Sequence, residues 1–189
     1  MTQNANYRIL PYGTRDFFYK NRRDCADENY DLVISTSIYK RKNLSLILEI
    51  AQSNPTLKFL LITNSANKLM APSNMKVLNN VSHDKYPDLY SKSKILLSIS
   101  TVEGGPISVS EAYISGLSII MTNTGYANAI CKDRGVFVLD DLNIRRINVV
   151  IRDALKLHNK SINKNQRDPG KFLEYNEFIS VIANEVSIV

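Results

Sequence analysis

The sequence predicts an α/β fold: a parallel sheet with helices on both of its faces. Three observations predict it. Short apolar runs recur along the chain, at Asp31-Leu-Val-Ile-Ser-Thr36, Leu57-Lys-Phe-Leu-Leu-Ile-Thr63, Ile95-Leu-Leu-Ser-Ile-Ser100 and Leu117-Ser-Ile-Ile-Met-Thr122. Strands this apolar are buried on both sides, as they are in parallel sheets. Segments with apolar residues at helical spacing separate them, which is the alternation of an α/β domain.

The elements follow in order. Asp31 to Thr36 reads as the first strand. Leu44, Ile47, Leu48 and Ala51 share one helical face, and Pro55 follows the end of that helix. Leu57 to Thr63 is the second strand and Met75-Lys-Val-Leu78 a short third. Pro87 to Ser93 is a short helix with proline near its start, where its missing N–H costs nothing. Ile95 to Ser100 is the fourth strand, and a helix from Ile107 to Ser115 stops at Gly116. Leu117 to Thr122 and Val136-Phe-Val-Leu139 are the fifth and sixth strands. Ile147, Val150, Ile151, Ala154 and His158 form a helical stripe. The organisation expected is a linker segment over 1–30, the sheet domain over 31–158, a polar loop over 159–171 and a helix over 172–189.

At 189 residues the chain suits one domain with a sizeable core. Hydrophobic content of 44% and charged content of 22% place it among globular chains. No run reaches the ~18 apolar residues of a membrane span. The start, Met1-Thr-Gln-Asn-Ala-Asn6, carries no signal pattern. Two distant cysteines, Cys25 and Cys131, fit a reduced, cytoplasmic protein, and no Cys/His spacing suggests zinc. Between Ile144 and Lys171 eight basic residues face two acidic ones, which equals the net charge of +6. That excess reads either as attraction to an anionic membrane face or phosphorylated acceptor, or as a solvated helix face and loop. It lacks the aromatic interleaving of a nucleic-acid surface.

The most informative stretch is Glu103-Gly-Gly-Pro-Ile-Ser-Val-Ser-Glu111, two glutamates with seven residues between them. Strand, glycine turn and helix point backbone N–H groups and a helix dipole at an anion. Carboxylates accept hydrogen bonds from hydroxyls and repel phosphate. The combination suggests a ligand carrying both phosphate and sugar. By the rule that such sheets bind ligands beyond their carboxyl strand ends, Lys42, Asn64, Glu103 and Gly125 should gather on one edge.

From Asp88 to Gly116 the sequence resembles the group 1 (family 4) glycosyltransferases, whose retaining members carry Glu-x7-Glu in the nucleotide-sugar-binding domain of a GT-B fold. The Leu117-Ser-Ile-Ile-Met-Thr-Asn-Thr-Gly125 run resembles the strand and turn that follow, and the likeness extends from about Tyr7 to the C-terminus. The resemblance implies a Rossmann-like sheet, one half of a GT-B fold. It implies that Glu111 holds the ribose hydroxyls and that Glu103 meets the transferred sugar. It implies that Lys42 neutralises the diphosphate and that Gly104, Gly105 and the Ile107 N–H face the diphosphate and sugar. Plainer alternatives stay open: a helix glutamate, a capping loop glutamate, a basic loop and a tight turn.

The chain departs from that pattern at Ser37, where an Arg usually stands, and at Thr36, where a Gly does. Loss of the Arg removes a bidentate phosphate clamp. Lys40 or Arg41 then compensates, or activity is weak or lost. Thr63-Asn-Ser-Ala66 replaces a glycine-rich turn. His83, near where the base packs, reads as a loop residue, and Tyr86 as packing.

The function implied is a retaining hexosyltransferase donor domain that takes a UDP- or GDP-hexose and serves a glycan or lipid-linked acceptor in polysaccharide assembly. No cofactor and no metal are expected. The acceptor domain is expected either in a longer chain or in a separate partner. Without it, the apolar face of Phe178, Ile179 and Ile182 is expected to self-associate or stay exposed. A cytoplasmic location is expected, with peripheral contact at the inner membrane face as a further expectation. The alternative is a degenerate, non-catalytic module that binds a nucleotide or stabilises a complex. A generic Rossmann oxidoreductase is disfavoured because no Gly-x-Gly-x-x-Gly follows the first strand.

Overall fold

The computed structural model describes residues 29–64, 69–125 and 127–159, together with Thr14, Arg15, Phe18 and Ser180. The expected linker, polar loop and terminal helix lie almost wholly outside the described residues. Six strands form one sheet: β1 (Tyr30–Ser35), β2 (Phe59–Thr63), β3 (Met75–Asn79), β4 (Ser93–Ser98), β5 (Ser118–Thr122) and β6 (Val136–Leu139). Their spatial order is β3-β2-β1-β4-β5-β6, and every pairing is parallel. This is the doubly wound Rossmann order, so the expected fold class holds.

Among the described residues five helices flank the sheet: α1 (Leu44–Ser53), α2 (Tyr86–Ser91), α3 (Ile107–Ile114), α4 (Ala127–Ile130) and α5 (Ile144–Asn159). The pleat splits each strand between two cores, because successive side chains point to opposite faces. Val33, Leu60, Ile62, Leu96 and Ile119 pack with Tyr90 of α2 and with Val109, Ala112 and Tyr113 of α3. Leu32, Ile34, Phe59, Leu61, Ile95 and Ile120 pack with Ile47, Ile50 and Ala51 of α1 and with Ile147, Ile151 and Ala154 of α5. The helical stripes read from the sequence are thus the buried faces of α1 and α5.

Several boundaries differ from the sequence expectation. β4 runs Ser93–Ser98 rather than from Ile95, because Ser93 aligns with Tyr30 and Ile95 with Leu32 in the ladder with β1. Ser93 is also held by a hydrogen bond to the Leu89 carbonyl at 2.9 Å. β2 starts at Phe59 rather than Leu57. α3 ends as its glycine predicts. Gly116 adopts φ 82°, and the Leu117 N–H donates to the Ala112 carbonyl at 3.0 Å, closing the helix end.

Candidate functional site

The strand order reverses between β1 and β4, where successive connections leave in opposite directions. Beyond the carboxyl ends of these strands lies a cavity of about 350 Å³. Ser35, Thr36 and Ser37 line it after β1, Thr63 and Asn64 at the end of β2, and Asn80 after β3. Glu103, Gly105, Pro106, Ile107 and Ser108 line it from the loop between β4 and α3, and Lys42 from the turn before α1. Of the four strand-end residues expected to gather, Lys42, Asn64 and Glu103 do so at the cavity.

Lys42 is placed by a network of fixed contacts. Residues Lys40–Lys42 form one 3-10 turn, closed by Asn43 in the left-handed region at φ 54°. The Asn43 amide donates to the Ile99 carbonyl at 2.6 Å, and the Thr101 N–H donates to the Arg41 carbonyl at 2.8 Å. These bonds staple the turn to the loop after β4. Lys42 Nζ consequently lies 2.5 Å from Glu103 Oε1, and Arg41 Nη1 lies 3.0 Å from the same oxygen. Arg41 also donates to the Val102 carbonyl at 3.3 Å. Burial alone raises the Glu103 pKa, but hydrogen bonds with Lys42 and Ser100 and the charges of Lys42 and Arg41 outweigh it. The carboxyl is therefore held below its ordinary value and is ionised at neutral pH.

Pro106, in extended conformation, precedes α3 and offers no side-chain cap. The first N–H groups of α3 open where Ile107 and Ser108 line the cavity, which gives that wall partial positive charge. A Cβ at Gly104 would meet nothing within 4 Å, so this residue faces open space rather than the lining. Gly125 also stays off the lining. At φ 54° it packs behind the turn, where a Cβ would fall 2.6 Å from Pro106 Cδ. Its role is to let the loop after β5 press the Gly104–Pro106 turn into place.

Glu111 behaves differently from Glu103. It is 2% exposed and absent from the cavity lining. His83 Nε2 is bonded to Glu111 Oε1, and the Tyr90 hydroxyl donates to Oε2 at 3.4 Å. Burial raises the Glu111 pKa, and contacts with His83, Tyr90 and the charge of Arg15 only partly offset this. The carboxyl stays above its ordinary value. Burial likewise raises Tyr86 and Tyr90, with Ser35 opposing it. Glu111, His83 and Tyr90 form a polar cluster behind the cavity wall.

Ser37 lines the cavity with a hydroxyl where a guanidinium was looked for. The cavity's charged lining among the described residues is Lys42 and Glu103, a pair of opposite sign. The other polar lining is hydroxyl and amide, and Ile62, Val81, Pro106 and Ile107 add apolar surface. The Thr63 hydroxyl is buried without a hydrogen-bond partner among the described residues. Sequence reasoning set aside His83 and Tyr86 as loop and packing residues. Tyr86 lines the cavity and His83 holds Glu111. Position alone could have marked Ser35, Thr63 and Asn80, since each ends a strand or directly follows one at the ligand edge. Among the described residues, no group of three His, Cys, Asp or Glu side chains could hold a metal. No described helix is long and apolar enough to cross a membrane.

A doubly wound sheet with a cavity at the switch point defines a Rossmann-like domain, and comparison with known proteins specifies it. Residues 17–169 match the glycosyl transferases group 1, and the chain belongs to that family. Solved structures agree on the fold. WaaG, a glycosyltransferase involved in lipopolysaccharide biosynthesis, superposes with a TM-score of 0.69 at 20% identity over 95% of this chain and 56% of its own. A glycosyltransferase from Rickettsia africae gives 0.70 at 13% identity over 94% and 55%. Anabaena HepE, solved in complex with UDP and glucose, gives 0.70 at 14% identity over 97% and 56%. The chain thus spans about half the length of these structures. No protein among the curated ones matches the sequence.

Proposed function

We propose that this chain is the donor-binding half of a retaining glycosyltransferase, taking a UDP- or GDP-hexose. The observation that carries the reading is the cavity at the switch point, where Lys42, Glu103 and the N-terminus of α3 converge. One wall offers a cation and helix N–H groups to a diphosphate. The other walls offer hydroxyls and amides to a sugar and a nucleoside. HepE, with UDP and glucose bound, supports the ligand class.

In the transfer, the bond between the hexose anomeric carbon and the diphosphate oxygen breaks, and the electron pair leaves with the nucleoside diphosphate. An acceptor hydroxyl bonds to the same carbon on the same face and gives up its proton. Lys42 and the α3 N–H groups stabilise the departing negative charge. Glu103, kept ionised by its cations, offsets the positive charge developing on the sugar. Glu111 would hold the ribose hydroxyls, Gly105 and the Ile107 N–H the diphosphate, and Ser37 a phosphate or sugar oxygen. Gly104 flanks this group from open space. Arg41, already 3.0 Å from Glu103, is a guanidinium placed to take over the missing clamp. No metal is required by this arrangement.

Four exposed apolar side chains, Ile38, Tyr39, Val102 and Ile107, sit on or beside the lining residues. They suit coverage by an acceptor-binding domain or partner chain. The net charge of +6 favours an anionic, lipid-linked glycan acceptor at a membrane face on the cytoplasmic side.

A second reading, a non-catalytic nucleotide-binding module, is favoured by Ser37 and by the neutralisation of Lys42 by Glu103. Calorimetric titration with UDP, GDP, ADP and their hexose conjugates separates these readings. Selective binding of one nucleotide, weakened about tenfold or more by Lys42→Ala, is expected for a donor site. Binding without turnover, with the acceptor domain supplied, would favour the module. No binding by the folded chain would remove both.

A further inference from the structure

The cavity carries its charge at one end. Its lining crosses the sheet in the order β3, β2, β1 and β4, from Asn80 to Glu103. Three strand spacings separate those two residues, a span of about 14 Å. Lys42, Glu103 and the first N–H groups of α3 stand at the β1 and β4 end. At the β2 and β3 end the lining is Ile62, Thr63, Asn64, Asn80 and Val81, and Tyr86 of α2 adds the one aromatic ring on it among the described residues. None of these side chains is charged. Two neighbours hold the Tyr86 ring: His83 lies at 80° to it with centroids 5.1 Å apart, and Tyr90 at 74° and 5.9 Å. Neither is stacked parallel upon it. Asn80 adopts φ 52°, and its N–H donates to the Thr63 carbonyl at 2.9 Å, which fixes the backbone between the two strand ends. The side-chain amides of Asn64 and Asn80 belong to exposed residues and have no hydrogen-bond partner among the described residues.

We propose that this uncharged end receives the nucleobase of the donor, with the Tyr86 ring as the surface it lies against and the Asn64 and Asn80 amides as its polar contacts. The proposal rests on the donor-site reading. A diphosphate is held by the cation and the helix N–H groups and gains little from a neutral wall. The hexose stays with the diphosphate, because the bond that breaks joins the two, so it shares the Glu103 end. The nucleoside is left for the far end. A nucleobase is planar, with a π-face suited to an aromatic ring and with donors and acceptors along its edge. A primary amide both donates and accepts, so it can answer either kind of edge group. Ile62 and Val81 add the apolar surface that a base also buries. Tyr86 is thereby a binding residue that selects a nucleotide over a bare diphosphate, and it does not touch the bond that breaks.

The test is calorimetric titration of the whole chain with UDP, GDP and inorganic pyrophosphate, for wild type, Tyr86→Leu, Tyr86→Phe and Asn64→Ala. Tyr86→Leu removes the ring, and the Kd of the nucleotide that binds is expected to rise about tenfold or more. Tyr86→Phe keeps the ring and should stay within about threefold of wild type. Asn64→Ala, at an exposed position where the fold has little to lose, should raise the same Kd about threefold or more. For pyrophosphate, which has no base, the four proteins should agree, and its binding reports an intact phosphate end. Unchanged nucleotide affinity in Tyr86→Leu or in Asn64→Ala would overturn the proposal alone. So would an equal loss with pyrophosphate, which would assign Tyr86 to the fold. A loss in Tyr86→Phe as large as in Tyr86→Leu would place the contact at the hydroxyl and overturn it too. Should Tyr86→Leu fail to fold, Asn64→Ala decides by itself. A wild-type chain that binds pyrophosphate but no nucleotide would overturn the donor-site reading, and this proposal with it.

Discussion

Two glutamates with seven residues between them end in opposite electrostatic surroundings. Glu103 shares one oxygen between Lys42 and Arg41, and its carboxyl is held below the ordinary 4.5. A carboxyl lowered on folding stabilises the protein above its unfolded pKa and loses that contribution as pH falls through the folded value. The destabilisation caused by Glu103→Gln should therefore be full at pH 7 and shrink at pH 3.5, as read from urea unfolding at both. Glu111 is raised above 4.5 by burial, and the sign reverses. Its ionisation opposes folding as pH rises from 4.5 through the folded value. Glu111→Gln should gain stability relative to wild type across that rise, measured in the same way. Equal pH profiles for the two variants would contradict this division of environments.

At the element scale, the site depends on how two loops are pinned to the sheet. Asn43 occupies a left-handed position and reaches the Ile99 carbonyl. Asn43→Ala loses that bond and keeps the strained backbone, a cost of about 1–3 kcal/mol. Gly125→Ala drives a Cβ to 2.6 Å from the Pro106 ring at a positive φ, so about 1–3 kcal/mol is again expected. Both losses are measurable by chemical unfolding, and both variants should also bind nucleotide more weakly, because Lys42 and Gly105 shift. The main elements were legible in the sequence because apolar period and glycine stops are local signals. Ile47, Ile50 and Ala51 face one core, and Gly116 ends α3. The turns at Lys40–Lys42 and His83–Lys85 and the four-residue α4 were not legible, since elements that short carry no period. Lys42 and Glu103 were marked by their place after strands, and Gly105 and Ile107 by the family resemblance; all four line the cavity. The pairing of Glu111 with His83 was not, because it joins residues 28 apart through packing that no local pattern encodes.

For the whole molecule, the parallel order β3-β2-β1-β4-β5-β6 decides where a ligand can sit, and the family match agrees with it. The positive excess is not carried evenly. On α5, Arg146 pairs with Asp140 and Asp141 of the loop before the helix, and Lys156 with Asp153. Exposed pairs of this kind contribute little and are screened by salt. The cavity differs, because its cation is mostly shielded from water: Lys42 is 17% exposed beside a 10% exposed Glu103. Nucleotide affinity should consequently fall less steeply with salt than an open surface site would require. The central claim is that this cavity is where a nucleoside diphosphate binds. The most direct measurement is amide chemical-shift mapping by NMR as UDP or GDP is added. Shifts concentrated at Ser37, Lys42, Asn80, Glu103, Gly105, Ile107 and Ser108, and lost in Lys42→Ala, are the predicted result. Saturable binding whose shifts lie elsewhere, on α5 or on the far ends of the strands, would contradict it.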